Sequence, residues 1–244
     1  FGVDSVVKYN AMRVMTTALP NLQQLQISHL GAAHKYSDGE DPADELWATA
    51  TANFITHDIE IISSFRKLRR LNIQAKAQLS LNGRYPVLFD FPLLCNLRIY
   101  GADYIEFDLE MLQGLPSLKE LDLYGNANLT GNLRSLRVLK DTLEKVEIVN
   151  CPDVEGSFMD LADFPHLWEL DLFDASAVTG DLREICVHEF PVLKSLCLPK
   201  GVYGCDGQEF QSISDAHDTI SVLYSFRKQR PPSLLCDWYG KLSE

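Results

Sequence analysis

The chain holds no run of about 20 consecutive apolar residues, so no part of it is expected to span a bilayer. It shows no secretory-leader pattern either. Its first residue is Phe1 rather than methionine, which leaves room for a removed leader or a longer parent chain. Basic residues are scarce: 22 Lys and Arg stand against 34 Asp and Glu, a formal charge of −12. That balance argues against a nucleic-acid backbone or an anionic membrane surface as the main partner. It suits a basic protein partner, and it also suits simple solubility. The six cysteines, Cys95, Cys151, Cys186, Cys197, Cys205 and Cys236, include no C-x-x-C and no paired His/Cys spacing, so a zinc site is not expected. Free thiols are the default, with a Cys205–Cys236 pair in the tail as the alternative. The lack of a disulfide-like pattern favours an intracellular or organellar setting over a secreted one.

Catalytic signatures are missing as well. There is no glycine-rich phosphate loop, and no two of the six histidines make a helical metal pair. His188 lies two residues from Cys186, a separation that does not align a thiolate with a base. The acidic stretch with Asp38, Glu40, Asp41, Asp44 and Glu45 lacks the D-x-D-x-D-G spacing of a calcium loop. Asn128-Leu129-Thr130 is a glycosylation sequon, relevant only after secretion. No catalytic residue, metal ligand or cofactor is expected.

What the chain does contain is a period. The block LPSLKELDLYGN, residues 115–126, carries the spacing L-x-x-L-x-L-x-x-N at Leu118, Leu121, Leu123 and Asn126. Copies are anchored at Leu22, Leu68, Leu94, Leu118, Leu143, Leu167 and Leu193. From Leu68 onward the steps are 26, 24, 25, 24 and 26 residues; the step from Leu22 to Leu68 is 46, close to two periods. A second half repeats too: Leu129, Gly131, Leu133 and Leu136 are matched by Val154, Gly156, Phe158 and Leu161, then by Val178, Gly180, Leu182 and Ile185. Proline recurs two residues before the anchor at Pro20, Pro92, Pro116, Pro165 and Pro191. Such a period predicts an α/β solenoid of short parallel strands, in which L-x-L alternation places apolar side chains on one strand face. One period cannot bury enough apolar surface to offset its own ordering, so the copies must stack. Gly131, Gly156 and Gly180 fit a tight turn or a close backbone approach.

On these residues the chain resembles the leucine-rich-repeat proteins, over about Leu19 to Leu198. The LTGNL, VEGSF and VTGDL pieces are similar to the second half of plant-type repeats, and FPHLWELDLFDASAVTGDL resembles repeats of algal, stramenopile-like proteins. The resemblance implies a curved horseshoe with strands on the concave face, helices or loops on the convex face, and helical end caps. The slot of Asn126 is filled by Ala102, Cys151 and Ala175 in neighbouring copies, which interrupts an asparagine ladder.

Three segments follow. Residues 1–18 form an amino-terminal cap or the remnant of an upstream repeat, with a helix over 4–18. Residues 19–198 form the solenoid. Residues 199–244 form a carboxy-terminal cap, with a helix opened by Ser214 and stopped by Pro231 and Pro232. Within the solenoid, residues 31–65 are irregular: an acidic loop, then a segment apolar enough for one long helix or two short ones, read as a degenerate or expanded repeat.

Side chains between the strand leucines face outward from the concave sheet. From this series the expected partner-binding set is Arg70, Arg98, Tyr100, Glu120, Asp122, Tyr124, Glu147, Trp168, Glu169, Asp171 and Phe173. Early copies are neutral to basic and later ones acidic. Tyr100, Tyr124 and Phe173 share one repeat position, with Trp168 near the edge. Asp122, Glu147 and Asp171 also share a position, about 5 Å apart by strand spacing. Carboxylate pairs can carry acid–base chemistry, yet no nucleophile accompanies them. The expected function is a non-catalytic interaction module, a scaffold or subunit of a larger assembly that holds a protein partner. The alternatives are a ligand-sensing receptor or immune-type recognition domain, and a regulator of a bound enzyme.

Overall fold

The computed structural model describes residues 14–28, 47–51, 59–74, 85–101, 105–185, 188–199, 201–204, 207–208 and 233–234. It is an α/β structure with two open, all-parallel sheets and few helical turns. Among the described residues the larger sheet has nine strands: β1 (Gln24–Ser28), β2 (Trp47–Thr51), β3 (Arg70–Gln74), β4 (Asn96–Tyr100), β6 (Glu120–Tyr124), β8 (Lys145–Val149), β10 (Glu169–Asp171), β12 (Ser195–Cys197) and β14 (Ser233–Leu234). The smaller has five: β5 (Phe107–Asp108), β7 (Leu129–Asn132), β9 (Val154–Ser157), β11 (Val178–Asp181) and β13 (Val202–Tyr203).

Each sequence period from β3 onward adds one strand to the large sheet. The registers match residue for residue: Leu71 faces Leu97, Leu97 faces Leu121, Leu121 faces Val146, and Val146 faces Leu170. This column is fully buried, as are the anchors Leu22, Leu68, Leu94, Leu118, Leu143 and Leu167. The core therefore lies between the two sheets, built from the apolar positions of the period.

The second half of the period holds the short helix expected there, in 3-10 form, but a strand that was not expected precedes it. It pairs into the smaller sheet and then turns into a short 3-10 helix, as over Leu109–Gly114, Leu133–Leu139, Phe158–Leu161 and Leu182–Glu184. The cause is a column of capping side chains. Asp108, Asn132, Ser157 and Asp181 each accept a hydrogen bond from the backbone N–H two residues on. Each thereby satisfies a donor the turn leaves orphaned. Gly131 (φ 109°) lies against this column: a Cβ there would stand 2.7 Å from Asp108 Oδ1 and 2.9 Å from the Leu109 backbone nitrogen.

The irregular segment also departs from expectation. Residues 47–51 are a strand where helix was anticipated, while Ile59–Ser64 is a short helix, of the 3-10 kind. Trp and Thr alternate with Ala in this strand, a composition suited to a pleated ribbon, and the open edge of β1 offers it a ladder. The strand is also out of order. β1 pairs directly with β3 over five residues, and β2 lies on the outer side of β1. The 46-residue step thus adds no strand between β1 and β3. The amino-terminal helix is described only over 14–18. The acidic loop, Cys186, Cys205, Cys236, Ala102 and the helix expected from Ser214 lie outside the described residues. Ser233–Leu234 pairs with β12 and closes the other edge of the large sheet.

Candidate functional site

The open face of the large sheet carries three side-chain rows, each set by strand register. The first runs through Arg70, Asn96, Glu120, Lys145 and Glu169. The middle row runs through Asn72, Arg98, Asp122, Glu147, Asp171 and Cys197. The third brings Tyr100 beside Tyr124 and Tyr124 beside Val149. Ten of the eleven expected residues thus lie on or bordering four adjoining strands, β4 to β10. Arg70 is the outlier, exposed on β3 at the row's basic end.

Asp122 is the hub. It is only 6% exposed, although it sits on the outward face. Arg98 Nε lies 3.5 Å from its Oδ2, and the Tyr100 hydroxyl donates to the same oxygen. Burial raises the Tyr100 hydroxyl above its ordinary range, and the hydrogen bond to Asp122 raises it further. Tyr100 and Tyr124 contact each other with ring centroids 5.9 Å apart and planes tilted by 31°. Tyr124 remains 46% exposed. Along the first row, Asn96 Nδ2 donates to Glu120 Oε2.

Lys145 ties the acidic end together. Its Nζ stands 3.1 Å from Glu147 Oε1 and 3.2 Å from Glu169 Oε1, and 5.9 Å from the centre of the Trp168 ring. Burial opposes its charge, but the two carboxylates outweigh that and hold the ammonium above its usual range. Lys145 was absent from the expected binding set. The available signal was its position as the sole base on the face of the later copies.

The middle row is crowded with like charge. Burial, then the Asp122 charge, push Glu147 up to about 7, with Lys145 pulling the other way. Burial likewise raises Asp171, against the Phe173 N–H that donates to its Oδ1 at 2.9 Å and against Cys197. Phe173 is half-buried just past β10. Cys95, Cys151 and Cys197 are reduced cysteines outside any disulfide. Among the described residues no cluster of His, Cys, Asp and Glu is arranged to hold a metal ion, and no helix is long and apolar enough to cross a membrane. The site offers an aromatic rim, a basic end and a half-buried carboxylate row across a continuous parallel sheet. Comparison with protein-family models, with curated proteins and with solved structures finds no match for this chain.

Proposed function

We propose that the chain is a leucine-rich-repeat solenoid of the plant and algal kind, and that its open, concave sheet face binds a protein partner without catalysing a reaction. One observation carries the reading: Tyr124, 46% exposed, stands beside a carboxylate row that is largely withdrawn from water. A rigid aromatic gives an anchor with little entropy loss on binding. Half-buried carboxylates at its side select a cationic partner and repel an anionic one. The strand-per-period register supports the repeat architecture. In this reading the protein is a scaffold or a fixed subunit of a larger assembly.

Crosslinking mass spectrometry on the native extract tests the placement. A stoichiometric partner should link to Lys145, which lies on the face, or to Lys119, which borders it. The Tyr124→Ala, Glu120→Ala, Asp122→Ala, Asp171→Ala combination should then weaken that partner about tenfold or more, in keeping with loss of an anchor cluster. Unchanged affinity with unchanged circular dichroism refutes the assignment.

A further inference from the structure

Five carboxylates and two bases adjoin on β4, β6, β8 and β10: Glu120, Asp122, Glu147, Glu169 and Asp171 against Arg98 and Lys145. Their compensation is uneven. Asp122 holds Arg98 and the Tyr100 hydroxyl. Glu120 accepts from Asn96, and Asp171 from the Phe173 N–H. Among the described residues, Glu147 has only Lys145, which it shares with Glu169. It also stands in register between two other carboxylates, Asp122 on one side and Asp171 on the other. Neighbouring strands are about 4.8 Å apart, so these charges are close, and the Glu147 side chain is only 21% exposed. A third anion between two, with half a lysine for compensation, is the least favourable charge on the face. The groups facing it are Lys145 on β8, Glu120 and Asp122 on β6, Glu169 and Asp171 on β10, and Arg98 and Tyr100 on β4. Cys197 lies one strand further on.

We propose that Glu147 is a proton-operated gate on the binding face: with its proton it leaves the carboxylate row one charge short, and after losing it to solvent it completes a site for an extended lysine- or arginine-rich segment. The inference rests on the concave-face reading above. It makes the partner a cationic polypeptide and makes capture stronger as pH rises through neutrality. The lift of Glu147 to about 7 by burial and by Asp122 agrees with this geometry. A group with that value is about one-tenth ionised at pH 6 and nine-tenths at pH 8, so affinity should rise about tenfold between them.

The test uses the full chain, the Glu147→Gln and Tyr124→Ala variants, and a synthetic peptide of alternating lysine and glycine at low salt. Side-chain carboxyl carbon NMR follows Glu147 from pH 4.5 to 9, and calorimetry gives peptide affinity at pH 6 and pH 8. The expected result is a neutral-range titration of Glu147, a roughly tenfold gain in affinity for the native chain, and a weak, pH-independent affinity for Glu147→Gln. Titration of Glu147 in the ordinary carboxylate range, or a gain that survives in Glu147→Gln, overturns the gate and leaves the binding face standing. Neutral-range titration with peptide binding indifferent to both Glu147→Gln and Tyr124→Ala overturns the binding face itself.

Discussion

Gly125 and Gly131 differ in what they demand of the backbone. Gly125 has φ 62° and nothing within 4 Å of the place a Cβ would take. The equivalent positions in neighbouring copies are Gly101, Asn150 and Asp174, all at φ between 53° and 59°. These are the residue types that tolerate the left-handed region. Gly125→Asn should therefore be close to neutral, and Gly125→Ala should cost about 1 kcal/mol, as read by chemical denaturation. Gly131, at φ 109°, faces the Asp108 carboxylate and the Leu109 backbone. Gly131→Ala should cost about 3 kcal/mol or more, because the strain adds to a clash the backbone cannot relieve. Equal costs at the two sites would contradict the close packing of β7 on the turn after β5. Asn126 shows a different dependence: fully buried, its Nδ2 donates to the Ile99 carbonyl at 2.8 Å. In the next copy the Cys151 thiol turns to the Leu123 and Val149 carbonyls, at 3.6 and 3.4 Å, and Ala175 follows with no polar group. One slot thus holds three side-chain chemistries.

Among the elements, β2 is the one whose place no local rule dictates. It pairs on the outer edge of β1 in the register Gln24 to Trp47, while β3, the next strand in sequence, pairs on the other side of β1. An open parallel edge is a template for foreign strands, and β2 covers it with the chain's own backbone. Replacing adjacent residues with proline, Thr49→Pro with Ala50→Pro, removes a ladder donor whichever N–H points inward. Hydrogen exchange over residues 24–28 should then accelerate while β6 and β8 keep their protection. Uniform protection across all three would show that β2 does not shield the edge. The capping column acts at the same scale. Asn132→Ala should cost about 1 kcal/mol through loss of the bond to the Arg134 N–H, detectable as a lower Tm.

At the scale of the molecule, one continuous core makes the stack cooperative between neighbours. Leu121, fully buried between Leu97 and Val146, is shared by three strands. Leu121→Asp puts a charge into that column and should lower stability by about 4 kcal/mol or more. An unchanged melting curve would refute the register. The acidic face adds a pH term of definite sign. Glu147 binds its proton more tightly folded than unfolded, so its contribution is fully present below the unfolded value, about 4.3. It is lost as pH rises through the folded value of about 7. Glu147→Gln should therefore stabilise the fold at pH 8 by an amount on the order of 1 kcal/mol after solvent screening, shrinking towards pH 5. A difference that is flat across that window would remove the shift.

The period, the anchors, the strands β1, β3, β4, β6, β8, β10 and β12 and the outward-facing residues on them were legible in the amino-acid order, because L-x-L alternation and a 24–26 residue step leave few ways to hide apolar surface; the strands of the smaller sheet, β2 and β14 were not. Two further columns were written there unread. Asp108, Asn132, Ser157 and Asp181 recur at one repeat position as capping residue types, and Gly101, Gly125, Asn150 and Asp174 recur at another as left-handed types. Only the tertiary structure decided the rest. The place of β2 depends on which edge was left open, and a five-residue strand signal holds no record of its partner. The charge state of Glu147 depends on its burial in the finished sheet and then on Asp122 arriving beside it from the neighbouring strand β6, in a setting dry enough for their repulsion to matter. Local sequence specified each strand, while the contacts between strands set the electrostatics of the face they share.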